Sequence, residues 1–384
     1  MDPLTAVPEK DRLHTLDILR GFSLLGILLV NMKSFYEPAL YETSLVSGSG
    51  SDRIVEQLIS FFAQASFYPL FSFLFGAGTV IFYERALKKG HSFNVYYSRR
   101  LIGLLIIGLL HAFLIWHGDI LANYALIGFL FLLFIKWNSR GLIKWGLFIL
   151  LLPNVLISFA LVAAYAADPE MLSHYKSEEA VQQSADAYQT GSFFDITQQR
   201  VTDWLYVNNF ENAFFLVISI LPLFMLGAAA YKRGWFHKDL SSEWKRTALI
   251  TGTAAVLLKG APLYWEENLL TQHLQLSLGG PALTLFYVSV ILLLLNNYSF
   301  KLGALKAAGR ASLSNYLMQS LVCTFLFYSY GFGLYGNISA AEGVMIAAIL
   351  YSVQLIVSYY WFRTFRFGPA EWLLRKWIYL FSRA

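Results

Sequence analysis

Predominantly apolar stretches recur along this chain, and polar residues gather in short clusters between them. The stretches fall at 16–35, 67–87, 99–117, 119–136, 141–166, 211–231, 247–265, 277–297, 312–333 and 342–363. Each is close to the roughly 20 residues a helix needs to cross a bilayer core. The pattern predicts an all-α polytopic membrane protein with about ten transmembrane helices in a single transmembrane domain over 1–384. Three segments break it. Residues 51–66 alternate as an amphipathic helix with Ile54, Leu58, Phe61 and Phe62 on one side, suited to lying along a membrane interface. Residues 167–210 are polar and acidic, with a helix start at Asp168 and Pro169 and a second helical pattern from Asp195 to Asn209, and they suit a lid or a cap. Residues 364–384 form a basic aromatic tail whose Trp372, Arg375, Lys376, Trp377 and Tyr379 suit an interface.

Charge orients the ladder. With the N-terminus in the cytoplasm, 24 of the 29 Lys and Arg residues fall on the cytoplasmic side and four (Lys33, Arg53, Lys176 and Arg200) fall outside, with Lys259 inside a segment. By the positive-inside rule both termini are cytoplasmic, 167–210 is an extracytoplasmic loop and 364–384 a cytoplasmic interfacial tail. Composition agrees: 57% of residues are hydrophobic, 14% are charged and the mean hydropathy is +0.52. The partner this implies is the lipid bilayer of a bacterial inner membrane, crossed many times, and the net charge of +5 belongs to loops facing anionic headgroups rather than to nucleic acid. Cys323, the one cysteine, lies within an apolar segment, so no intramolecular disulfide forms. Asn31, Met32 and Lys33 follow the first segment where a small-residue cleavage site would stand, and the segment reads as a retained helix.

Polar side chains inside such segments are costly unless paired or hydrated, which makes them the candidate site residues. Asp17 and Arg20 share one face near the cytoplasmic end of the first helix, either as a site or as a helix-start pair. Asn31 marks the other end of that helix. His111 lies 11 residues beyond Arg100, about 16 Å of helix rise, near mid-membrane or slightly outward. The tight hairpin at His117, Gly118 and Asp119 returns Asn123 to a similar depth. A histidine oriented by Asp119 or Asn123 is the build of a general base, and helix packing explains the same residue without chemistry. Lys259, followed by Gly260 and Pro262, marks a helix break facing a cavity. Arg310, Ser312, Asn315, Tyr316, Gln319 and Ser320 form a polar stripe on the ninth helix. Together with Arg20, Arg363 and Arg366 it can converge on an anion, because guanidinium groups bind phosphates in bidentate fashion. The positive-inside rule also places arginines there. The chain carries no phosphate loop, dinucleotide fingerprint or metal motif, so neither a metal nor a permanently bound cofactor is expected. Pro69, Leu70, Phe71, Gly76 and Ala77 echo Pro222, Leu223, Phe224, Gly227 and Ala228, an arrangement that suits close helix packing.

The stretches LDILRGFSLLGILLVN (16–31), FYPLFSFLFGAG (67–78), RRLIGLLIIGLLHAFLIWHGDILANYALIG (99–128), GRASLSNYLMQSL (309–321) and FRFGPAEWLLRKW (365–377) resemble the bacterial YeiB family of membrane proteins, the domain of unknown function 418. At its first helix that family resembles membrane-embedded acyltransferases, which move an acyl group from a cytoplasmic thioester to an acceptor across the membrane. The resemblance implies acyl coenzyme A as co-substrate and a small-molecule or lipid-linked acceptor. Arg20 takes the place of the motif arginine, and Asn31 stands where bacterial O-acyltransferases have a histidine, which leaves His111 as the base. On this reading Arg20, Arg310, Asn315, Gln319, Arg363 and Arg366 bind the donor. A small-molecule transporter and a non-catalytic membrane protein are the rival readings.

Overall fold

The computed structural model describes residues 12–42, 44–168, 178–298 and 302–380, and Lys10, Pro169, Lys176, Lys301 and Arg383 lie outside them. The described residues are helices joined by turns, with no strand among them. In chain order the helices are α1 (His14–Tyr36), α2 (Gly50–Phe62), α3 (Phe67–Lys88), α4 (Phe93–Leu114), α5 (Leu121–Phe131), α6 (Ser139–Ala167), α7 (Glu178–Thr190), α8 (Phe193–Val207) and α9 (Phe210–Arg233). Then follow α10 (Ser241–Lys259), α11 (Ala261–Tyr264), α12 (Leu269–His273), α13 (Gly280–Asn297), α14 (Gly303–Arg310), α15 (Ser312–Phe327), α16 (Ala340–Thr364) and α17 (Pro369–Tyr379).

Every apolar run is therefore helical. By length and composition, seven helical stretches among the described residues suffice to cross a membrane: His14–Tyr36, Gly50–Lys88, Phe93–Leu114, Ser139–Ala167, Phe210–Arg233, Leu269–Asn297 and Ala340–Thr364. The protein is an all-helical membrane protein. α5 and α15 are shorter than their apolar runs. α15 stops at Phe327 rather than near 333, because Gly331 lies directly on the Phe325 carbonyl and Gly333 holds a positive φ of 66°. Those conformations belong to a folded-back loop and not to a helix. α10 carries Glu243, Lys245, Arg246 and Lys259, which lowers its apolar character.

α1 is the spine of the bundle. Its Gly21 lies against the Leu305 carbonyl at the start of α14, and Gly309 at the end of α14 lies against the Asp17 carbonyl. The Tyr351 hydroxyl of α16 donates to the Gly21 carbonyl at 2.7 Å. α6 is the opposite case: Leu147, Phe148, Leu151, Leu152 and Phe159 are exposed, and only Leu142, Gly146, Leu150 and Asn154 are buried. An apolar face of that extent belongs in lipid. α2 follows the same logic, with Ile54, Leu58 and Phe62 outward, while buried Glu56 reaches Lys33 of α1 at 3.0 Å.

The echoed Pro-Leu-Phe and Gly-Ala stretches meet face to face. A Cβ on Gly76 would stand 2.0 Å from the Phe224 carbonyl oxygen, and one on Gly227 would stand 1.7 Å from the Phe73 carbonyl oxygen, so each glycine admits the other helix's backbone. Gly227→Ala therefore forces α3 and α9 apart and is expected to destabilise the protein by about 1–3 kcal/mol. Thermal unfolding in detergent measures it, and an unchanged midpoint would show that the seam yields without strain.

Candidate functional site

α4 ends at Leu114, and a turn through Trp116 and Gly118 reverses the chain into α5. Asp119, just before α5, accepts the backbone N–H of Ala122 at 2.8 Å and so satisfies an open donor in the first turn of that helix. Its other oxygen lies 3.0 Å from His111 Nδ1. Both residues are buried, His111 with 1% of its surface exposed. The helix cap thus fixes the carboxylate, and the carboxylate fixes the imidazole ring. Among the described residues His111 Nε2 has no hydrogen-bond partner, and neither has the indole nitrogen of Trp116. Tyr316 of α15 stands beside the imidazole, ring centroids 5.1 Å apart, and its hydroxyl points to the Gly118 carbonyl at 3.3 Å. Asn123, one turn into α5, is buried and makes no hydrogen bond to His111, so Asp119 alone orients the ring.

This site abuts the end of α1. Phe35 stacks on Trp116 with centroids 4.3 Å apart, and Trp116 meets the His111 ring edge-on at 6.4 Å. His111 therefore belongs to the part of the bundle reached by the Asn31 end of α1, and it comes from a neighbouring helix.

α7 and α8 close over the same end. Ser192 and Asp195 form a capping box that starts α8. Asp203 of α8 accepts Tyr41 Oη at 2.7 Å, Tyr188 Oη at 2.6 Å and Gln199 Nε2 at 2.7 Å, and it lies 3.4 Å from His117 Nδ1. Burial, reinforced by the nearby Tyr328 hydroxyl and Asp203 carboxylate, pushes the Tyr188 hydroxyl well above its ordinary pKa, so it stays a donor. Arg200, fully buried, donates to the Leu114 carbonyl at 2.9 Å and to Tyr330 Oη at 2.9 Å, and it stacks near Phe193 and Tyr328. The segment is a docked cover tied to the last turn of α4. Sequence reading counted Arg200 as an outer charge and passed over Asp203 and Tyr188. The spacing of Gln199, Arg200 and Asp203 along one helix turn was the available signal.

At the other end of α4 the charges differ from expectation. Asp17 pairs with Arg12 Nη2 at 2.9 Å and with Arg20 Nη1 at 3.3 Å. Arg20 is within electrostatic reach of Arg12 and Arg100, and Arg100 lies over the rings of Phe75 and Tyr97. Arg375 of α17 feels Arg85, Arg366 and Arg100, and burial lowers its pKa from the ordinary value. The cluster thus runs from Arg20 through Arg100 to Arg375. Of the four arginines expected to converge, Arg20 and Arg366 reach it from opposite ends. Arg310 stacks on Phe362 with its guanidinium 4.1 Å from the ring centre, and exposed Arg363 lies over Tyr359 and Tyr360.

The polar stripe on α15 is used between helices. Asn315 Nδ2 donates to the Ala308 carbonyl at 3.1 Å and to Ser358 Oγ at 3.0 Å. Gln319 Nε2 donates to Gln354 Oε1 at 2.9 Å, and Gln354 Nε2 returns to the Asn315 carbonyl at 2.9 Å. These residues join α15 to α14 and α16. Glu371 of α17 accepts the Leu313 N–H at 2.8 Å and caps α15, while burial raises its carboxyl against the pull of those donors. Lys259 ends α10 where the break was expected, and it lines a cavity.

The family described as "Protein of unknown function (DUF418)" matches residues 230–381. Over 403 residues the chain is 37% identical to the uncharacterized protein YxaH of Bacillus subtilis (strain 168), covering 99% of this chain and 97% of that one. An uncharacterized 39.9 kDa protein in the amylase 3' region of Bacillus acidopullulyticus is 29% identical over 395 residues, covering 99% and 96%. The uncharacterized protein YeiB of Escherichia coli (strain K12) is 28% identical over 397 residues, covering 95% and 96%.

Proposed function

The chain belongs to the YeiB family, DUF418, and on that premise we propose that it is a membrane-embedded acyltransferase. It passes an acyl group from a cytoplasmic coenzyme A thioester to an extracytoplasmic or lipid-linked acceptor. We place it in a bacterial inner membrane with ten crossings and both termini in the cytoplasm. The observation that carries the reading is the buried pair of His111 and Asp119, whose Nδ1 side is held at 3.0 Å while Nε2 has no partner among the described residues. A ring nitrogen held in this way is positioned to take a proton. His111 Nε2 accepts the proton of an acceptor hydroxyl as that oxygen attacks the thioester carbonyl, and the proton passes on to the departing thiolate. Arg20, Arg100 and Arg375 form the cationic end that suits the phosphates of the donor. Arg100 and His111 lie 11 residues apart on α4, about 16 Å, so an extended thioester arm links the two ends.

Two predictions belong to this reading. Purified protein in nanodiscs binds an acyl coenzyme A, and Arg20→Ala or Arg100→Ala weakens that binding by about 1.5–3 kcal/mol, roughly ten- to a hundredfold in Kd. Arg363→Ala, at an exposed position, leaves it unchanged. Calorimetry that finds no binding to the wild type across common acyl thioesters removes the donor site. For the topology, single cysteines are placed in a Cys323→Ser background and treated on intact cells with an impermeant thiol reagent. Glu179→Cys reacts and Asn94→Cys does not; the reverse result overturns the orientation.

The break after Lys259 favours a second reading, a small-molecule transporter. Uptake by proteoliposomes that persists undiminished in His111→Gln would select it.

A further inference from the structure

A cavity of about 460 Å³ opens between α2, the end of α10 and α11, and His111 is not among its lining residues. Its wall includes Lys259, Gln275, Ser60, Arg53, Glu266 and Trp265. Such a volume suits a small organic molecule. Four features of the wall are hard to explain by packing alone. Lys259 is fully buried, its Nζ donates to the Gln64 carbonyl at 2.7 Å, and no carboxylate lies within ion-pair distance among the described residues. A lone buried ammonium is costly unless something neutralises it. Gln275, 3% exposed, donates through Nε2 to Ser60 Oγ at 2.7 Å, while its Oε1 has no donor among the described residues. Gln275 stands on a π-helical turn, Leu274–Gly279, between α12 and α13, the irregularity that recurs at functional sites. Ala65, beside the carbonyl that Lys259 binds, holds a positive φ of 54°, a conformation that carries strain for a residue with a Cβ.

Gly279 lies against the Lys259 side chain. A Cβ there would stand 3.1 Å from Cγ and Cδ of Lys259, so the glycine leaves the lysine chain room to lie flat.

We infer that this cavity is a second ligand site, taking a small carboxylate that carries its own O–H or N–H donors, with the carboxylate on Lys259 and a donor on Gln275 Oε1. The charges choose a monoanion over a phosphate. Glu266 and Glu267 line the same wall as Lys259 and Arg53 but neither reaches Lys259 within ion-pair distance, so one carboxylate suffices to pair the buried ammonium. A multiply charged group would also meet the two glutamates. Glu267 is itself held by the Leu45 N–H and Ser44 Oγ, both at 2.9 Å, which fixes the cavity's rim. The inference stands apart from acyl transfer and needs no residue of that site.

The test uses the full chain in detergent or nanodiscs. Glycolate, lactate, glycerate, gluconate, glucuronate and N-acetylglycine are each measured for thermal stabilisation beside the uncharged amide of the same acid. At least one carboxylate raises the unfolding midpoint by several degrees, and its amide does not. Lys259→Met loses that shift, with binding weakened tenfold or more, while Lys259→Arg keeps part of it and Gln275→Leu weakens it. Acyl coenzyme A binding stays unchanged in Lys259→Met, so the fate of this site is read separately from that of the transferase. No stabilisation of the wild type by any of the six acids, or a shift that survives in Lys259→Met, overturns the inference.

Discussion

Replacing His111 with glutamine is expected to lower the proposed acyl transfer by roughly two to four orders of magnitude, the usual contribution of a positioned general base. Glutamine retains the volume and an N–H that can reach Asp119, so the buried carboxylate keeps a partner and the bundle keeps its midpoint of thermal unfolding. Asp119→Asn probes the same chemistry from the other side. An asparagine amide donating to His111 Nδ1 puts the ring proton on Nε2, where the acceptor's proton must go, and activity falls although every side chain stays in place. Everted membrane vesicles supplied with radiolabelled acyl coenzyme A give the rate, and unfolding measured on the same samples gives the stability. Full activity in His111→Gln would assign the ring to packing against Trp116 and Tyr316. Equal losses of activity and stability in both variants would mark the pair as structural.

The fold was legible where it depends on the solvent. Runs of apolar residues admit only helices in lipid, because every backbone N–H and C=O must find a partner within the segment. Thus α1, α3, α9 and α16 stand within a few residues of their expected limits. Limits set by tertiary contacts were not legible. α15 ends early because Gly331 and Gly333 fold the chain back, and α14 exists because Gly309 can lie on the backbone of α1. No periodicity encodes either contact. The candidate site divides the same way. The hairpin between α4 and α5 is short, so Asp119 could be placed beside His111 from spacing alone. Asn123 is buried but makes no hydrogen bond to His111, whose Nδ1 is taken by Asp119, a choice of partner that spacing does not resolve. The polar stripe on α15 could not face lipid, and its partners turned out to be Gln354 and Ser358 rather than a cavity. Arg100 was passed over because it sits in a basic run that the positive-inside rule already explains.

The cover formed by α7 and α8 should detach when Asp203 becomes alanine. Three buried groups, Tyr41 Oη, Tyr188 Oη and Gln199 Nε2, would lose their acceptor together. A buried donor left unsatisfied costs about 1–3 kcal/mol, so the docking is expected to weaken by roughly 3 kcal/mol or more. Limited proteolysis of spheroplasts reads this directly. The wild-type segment 178–207 resists cleavage, and Asp203→Ala is cut there while the helical content of the remaining bundle is unchanged. Asp203→Asn keeps an acceptor oxygen and falls between the two. The consequence extends to the site, because the same cover sends Arg200 to the Leu114 carbonyl, one turn from His111 on α4. Undocking frees the end of α4 and admits water around a base that works best in a dry, fixed setting. The loss of activity in Asp203→Ala is therefore expected to track the cleaved fraction, whereas His111→Gln is inactive with its cover closed. A cover as resistant in Asp203→Ala as in the wild type would mean that Arg200 and the stacked Tyr188 and Tyr328 rings hold it without the carboxylate.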